Sequence, residues 1–159
     1  MVTMKVEYIN AFIGAAQNVF SSMLNTEVTL GRVTVNTSHV TAHDISGIIG
    51  LSGDAVGCVV VSFPMDTALA AYKAFAGEEI DPMDPNFLDA IGELTNMIAG
   101  NAKAEIVGMS ISIGLPTVIM GKQHCVNAPQ NVPFICIPCH CKLGNFSIEV
   151  AFRSETGNN

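Results

Sequence analysis

Asp89, Glu93 and Asn96 follow one another at spacings of four and three residues within DAIGELTNMIAGNAK, residues 89–103. Such spacings make neighbours on one face of a helix. With an advance of about 100° per residue, Asp89, Glu93, Asn96, Gly100 and Lys103 fall within a stripe roughly 80° wide. Ile91, Leu94, Ile98 and Ala102 cluster on the opposite side. A smooth polar ridge with one Glu and one Asn, bordered by Gly92 and Gly100, would let another protein surface come close. The plainer account is the solvated face of an amphipathic helix. Two features resist it. Glycine inside a helix costs about 1 kcal/mol relative to alanine, and asparagine is a poor mid-helix residue. Periodicity alone leaves the docking ridge and the wet face both open.

The elements that must position this stripe read as follows. Residues 7–24 carry Ile9, Phe12, Ala16, Val19, Phe20 and Leu24 at helical spacing. Residues 27–35 alternate with β-branched side chains and read as a strand, as do 45–51 and 57–63. SGDAV between the last two is hairpin-turn chemistry. Residues 65–76 form a short alanine-rich helix stopped by Gly77. Asp84 can cap the next helix, with Pro85 at its first position. That helix runs to about Val107 and ends at Gly108. Strands follow at about 110–120, 134–142 and 145–152, the last two joined tightly through Gly144. The expectation is a single α+β domain over the whole chain. It is a largely antiparallel six-stranded sheet with two long helices and one short helix packed on one side.

Composition narrows the function. The chain has 159 residues, 49% of them hydrophobic and 13% charged, which suits a real core and not a disordered chain. A net charge of −7 is no footprint for DNA or RNA, so no nucleic-acid partner is expected. Runs such as AVGCVVV, residues 55–61, are too short to span a bilayer. The N-terminal stretch lacks a charged region, an apolar core and a cleavage site, so a cytoplasmic location without membrane insertion is expected.

ISGIIGLSGDAVGCVVVSFP, INAFIGAAQNVF and LPTVIMG flank the ridge sequence DAIGELTNMIAG. Together they resemble the CheC/CheX/FliY family of bacterial chemotaxis phosphatases, over most of the chain from about Ile9 to Phe152. The family motif is Asp or Ser, three residues, Glu, two residues, Asn. Asp89, Glu93 and Asn96 match all three positions. Members of the CheC type carry a second motif on the first long helix. Here Glu7 and Asn10 keep its spacing, but Thr3 is neither Asp nor Ser, which favours the CheX-like branch and one site per chain.

The resemblance implies that the chain accelerates hydrolysis of the aspartyl phosphate on a CheY-like response regulator. Asn96 would orient the attacking water, since a carboxamide both donates and accepts. Glu93 would engage the receiver's active-site lysine. Asp89, Gly92, Gly100 and Lys103 would meet the partner. Mg²⁺ would arrive with the receiver, so no catalytic metal ligand or cofactor is expected from this chain. Family relatives also imply a homodimer. A non-catalytic module of the same fold, which binds a receiver or another signalling protein, is the second reading.

Other signals are weaker. CIPCHC places Cys136, Cys139 and Cys141 close together. A metal or redox site is one reading; alternation of buried cysteines along a strand is the other. His39 and His43 sit in a loop-like stretch that does not converge two imidazoles. GLSGDAVG lacks the Gly-Lys-Ser/Thr ending of a phosphate loop.

Overall fold

A computed structural model describes residues 5–129 and 131–155. The first helix, α1, spans Val6–Leu24 and buries Phe12, Ala16, Val19, Phe20 and Leu24. Two short strands follow, β1 at Thr29–Leu30 and β2 at Thr34–Asn36. The hairpin of β3 (Ile45–Gly53) and β4 (Ala55–Phe63) leads into α2 at Met65–Ala76 and α3 at Pro85–Glu105. Strands β5 (Ile111–Ile113), β6 (Thr117–Met120), β7 (Phe134–Cys141) and β8 (Gly144–Ser154) complete the chain.

All strand pairs are antiparallel, in the order β1-β7-β8-β4-β3-β5, with β2 beside β7 and β6 beside β3. The six expected strands therefore become six positions across the sheet. Each edge position is broken into two short strands, which makes eight. The breaks have local causes. Between the pairs Leu30↔Cys139 and Thr34↔Cys136, one extra residue is inserted on the edge strand. Pro138 stands opposite that insertion. Its carbonyl accepts from Gly31 N–H at 2.9 Å, but it has no N–H to return. At the other edge, Gly114, Leu115 and Pro116 face only Ile49 and Gly50 between the pairs Leu51↔Ile113 and Ile48↔Thr117. That is a β-bulge with a proline in it.

The helices cover one face of the sheet. Phe146 stacks between Phe20 of α1, at 4.5 Å between ring centroids, and Phe63 of β4, at 5.4 Å. α3 sits on β3, where Gly47 meets Thr95. A Cβ on Gly47 would overlap Thr95 Oγ1 and lie 2.9 Å from Thr95 Cβ. Thr95 is fully buried, and its hydroxyl donates back to Ile91 O at 2.8 Å. α3 ends at Glu105, short of the expected Val107, because Ile106 leaves the helix in an extended conformation to enter the core.

Loop residues cover part of the opposite face, where Val126 packs with Cys58, Val60, Phe134 and Ala151. Beneath the loops lies Glu149, only 2% exposed, accepting from Ala42 N–H at 2.9 Å and Ser147 Oγ at 3.4 Å. Burial pushes its carboxyl above the ordinary 4.5. The hydrogen bonds and the charge of His124 act downwards but do not cancel it.

Gly47→Ala is expected to cost about 2 kcal/mol through overpacking. Part of that loss should return in the Gly47→Ala/Thr95→Ala double variant; urea denaturation reads both. Glu149 yields a pH prediction. A folded-state pKa raised above the unfolded one makes ionisation unfavourable to folding. That cost is absent below the ordinary value and grows as pH rises through the raised one. Glu149→Gln keeps an oxygen for Ala42 and should be more stable than wild type at pH 7, with the gap closing below about pH 4. Equal stability at every pH would remove the carboxylate from this account.

Candidate functional site

α3 is built to start and stay in place. The Asp84 side chain accepts from Asn86 N–H at 2.9 Å, and Pro85 occupies the first turn, where a missing N–H is harmless. Phe87, Ile91, Leu94, Ile98 and Ala102 are buried against α1, α2 and the sheet. The rotation of the helix then follows. Asp89, Glu93 and Lys103 are exposed, while Asn96 and Gly100 are half-buried on the same outer stripe.

The side chains of Asp89, Glu93 and Asn96 have no hydrogen-bond or ion-pair partner among the described residues. A second asparagine on the helix behaves differently. Asn101 donates to Met97 O at 2.9 Å and accepts from Asn18 Nδ2 at 2.8 Å, so its amide joins α3 to α1. Asn96 keeps a donor and an acceptor for something outside the chain. Glu93 lies one turn away, with Cβ atoms about 5–6 Å apart at this spacing. The pair offers a carboxylate to a cation and a carboxamide to a polar group beside it.

Gly92 departs from the expectation. It is buried, not part of the outer ridge. A Cβ there would stand 3.4 Å from Val118 Cγ2 and 3.5 Å from Pro116 Cβ. Its smallness serves the contact between α3 and the sheet edge. Gly100 is open by comparison: a Cβ there would find Ile113 Cδ1 no nearer than 4.0 Å. The edge chain therefore runs alongside the helix, with Ile113 near Gly100 and Pro116 near Gly92. Sequence reasoning missed this flank; the Gly-Leu-Pro run inside a strand pattern was its one visible mark.

Glu7 and Asn10 do not join the ridge. They line a groove of about 530 Å³ between α1 and α3, together with Gly14, Asn18 and Glu105. Thr3 lies outside the described residues.

The cysteines follow strand alternation. Cys139 is buried in the main core and Cys141 packs beside it, while Cys136 is half-buried on the other face. Burial pushes the Cys139 thiol up to about 12 and the Cys58 thiol to about 11. Among the described residues, no three His, Cys, Asp or Glu side chains converge as a metal-binding set. His124 is engaged elsewhere: its ring nitrogens lie 2.7 Å from Gly121 O and 2.8 Å from Ser46 Oγ. No helix among the described residues is long and apolar enough to cross a membrane.

Residues 45–140 match the family described as "Chemotaxis phosphatase CheX". The CheY-P phosphatase CheX of Thermotoga maritima is 33% identical over 122 residues, which are 75% of this chain and 79% of that protein. The crystal structure of the chemotaxis protein CheX from Desulfovibrio desulfuricans superposes with a TM-score of 0.83 at 34% identity, covering 94% of this chain and all of that one. The CheX–CheY–BeF3–Mg²⁺ complex from Borrelia burgdorferi has the same fold, with a TM-score of 0.79 at 23% identity over 94% of this chain and all of that one. The chain that presents Asp89, Glu93 and Asn96 on the outer stripe of α3 belongs to the CheX family of chemotaxis phosphatases.

Proposed function

We propose that this chain accelerates hydrolysis of the aspartyl phosphate on a CheY-like receiver domain, with Glu93 and Asn96 inserted into the receiver's phosphorylation site. The observation that carries the reading is the unengaged pair itself. Two polar side chains stand one turn apart on a rigid buried helix with no partner among the described residues. The family supports it, as does the Thermotoga maritima relative, a CheY-P phosphatase. The Borrelia burgdorferi protein of the same fold is seen bound to CheY.

The chemistry asks little beyond positioning. In phosphoryl transfer, catalysis comes mostly from alignment and charge stabilisation. The receiver brings Mg²⁺ and a lysine to its own phosphoryl group. Glu93 pairs with that lysine and sets the register of docking. The Asn96 carbonyl oxygen accepts a hydrogen bond from a water and holds it in line with the phosphorus. The water oxygen forms the new P–O bond, the bond to the receiver's aspartate breaks, the aspartate leaves as a carboxylate, and both protons of the water end on the inorganic phosphate product. Asn96 takes no proton at any step. Asp89 and Lys103 meet the receiver at the ends of the stripe, and Gly100 keeps its middle low. The chain acts as a homodimer in this reading, and its two broken sheet edges are where strands of a second copy have room to add.

Asn96→Ala should lower the dephosphorylation rate at saturating receiver by about 100-fold or more. Glu93→Ala should lower that rate and also raise the receiver concentration needed for half-maximal rate by about tenfold. Both residues are on the outer stripe, so the melting temperature should hardly move. Stopped-flow fluorescence of the receiver reads the rates. Wild-type activity in folded Asn96→Ala would remove the water-orienting role.

A further inference from the structure

The ridge carries no apolar group. Glu93 gives one charge-assisted contact, and Asp89, Asn96, Gly100 and Lys103 can align a partner, but alignment by exposed polar groups adds little net affinity beyond that one contact. Protein interfaces draw most of their binding energy from a few desolvated side chains at the centre of the contact. Three large apolar side chains near α3 are almost fully exposed: Met83, Val107 and Leu115. Met83 precedes the helix and Val107 follows it, so both flank its ends. Leu115 is different. Its neighbours in the chain touch the helix at Gly100, through Ile113, and at Gly92, through Pro116. Leu115 therefore lies beside the middle of the helix, level with Glu93 and Asn96.

A lone exposed leucine is ordinary on a protein surface. This one is held out by construction. It is the middle residue of the β-bulge, where three edge residues face two of β3. Bulges re-aim side chains beside functional sites. Gly114 N–H donates to Gly50 O at 3.0 Å on one side of it. On the other, Pro116 has a fixed φ and rests within van der Waals reach of the Gly92 position. The residue is 90% exposed, yet the chain is anchored before and after it. Little ordering entropy is lost when such a group is buried by a partner.

We propose that Leu115 is the apolar anchor that docks the phosphorylated receiver beside Glu93 and Asn96, packing against an apolar side chain at the rim of the receiver's phosphorylation site. The proposal rests on the receiver-phosphatase reading above. In it the β5–β6 bulge sets affinity and partner choice, while α3 performs the chemistry. Gly92 belongs to the same device. A methyl group at 92 fits, but a larger side chain pushes Pro116 outward and carries Leu115 away from the ridge.

The test measures rate against receiver concentration, and separately the binding of a Mg²⁺- and beryllofluoride-loaded receiver, for wild type, Leu115→Ala, Leu115→Met and Asn96→Ala. Leu115→Ala should raise KM and Kd about tenfold, with the saturated rate within twofold of wild type. Leu115→Met should recover most of that affinity. Asn96→Ala should do the reverse, keeping Kd and losing the rate. The melting temperature of each Leu115 variant should match wild type, because the side chain is exposed. Unchanged KM and Kd in Leu115→Ala would overturn the anchor while leaving the phosphatase reading intact. A changed molecular mass of Leu115→Ala in sedimentation would also overturn it, by assigning Leu115 to a contact between copies of this chain. Wild type that binds the loaded receiver without hydrolysis, with Leu115→Ala still weakened, would sink the phosphatase reading and keep the anchor.

Discussion

The seat of α3 on β3 is the contact on which the site depends. Thr95 is a β-branched residue on the inner side of the helix, and Gly47 is the one position beneath it with no side chain. Their approach is too close for even a methyl group. It therefore fixes how high the helix rides and how far it is rotated. Thr95 lies between Glu93 and Asn96 in sequence and faces inward, about 120° around the helix from the centre of the outer stripe. Any rotation that relieved the contact would carry the carboxylate and the amide off the outer stripe. The Thr95 hydroxyl is satisfied by Ile91 O within its own helix, so its burial leaves no orphaned donor.

The two flanks of α3 do different work. On the α1 side, Asn18 and Asn101 join the helices through a side-chain hydrogen bond at 2.8 Å. On the sheet side, Gly92 admits the bulged edge with its proline. Helix propensity argues against two glycines here. Close packing explains Gly92, and Gly100 leaves the outer stripe low beside Asn96. Local preference has yielded to tertiary contact in the part of the chain where chemistry is proposed. Elsewhere the chain follows its propensities, with an Asp cap and Pro at the start of α3 and Gly77 after α2.

Much of this architecture is legible in the amino-acid sequence. The helical stripes of residues 7–24 and 65–76 match α1 and α2 within a residue, because their periodicity is long and clearly bounded. The β3–β4 and β7–β8 hairpins follow from Gly-containing turns between β-branched runs. The polar stripe on α3 is readable from spacing, and its family from the motif and flanks. The edges are not. A bulge shifts the apolar alternation by one residue, from Val28 and Leu30 to Val33 and Val35 and from Ile111 and Ile113 to Val118 and Met120, but the β-rich runs of 27–35 and 110–120 still read as single strands. The register shows the one extra residue at each break. The packing of Gly92 against the sheet edge is hidden for a related reason. Sequence shows that a residue is small but not which neighbour takes the space. The end of α3 is overshot because Ile106 is drawn into the core, a long-range contact with no local signal.

Phosphate release from a phosphorylated receiver tests the proposed activity of this chain. A Mg²⁺-loaded receiver is phosphorylated with a small-molecule phosphodonor, the donor is removed, and inorganic phosphate release is followed with and without wild-type protein. Catalytic amounts of the protein should speed release well beyond the receiver's own rate, with many turnovers per site. Receivers that bind the protein yet lose phosphate at their unassisted rate would contradict that activity.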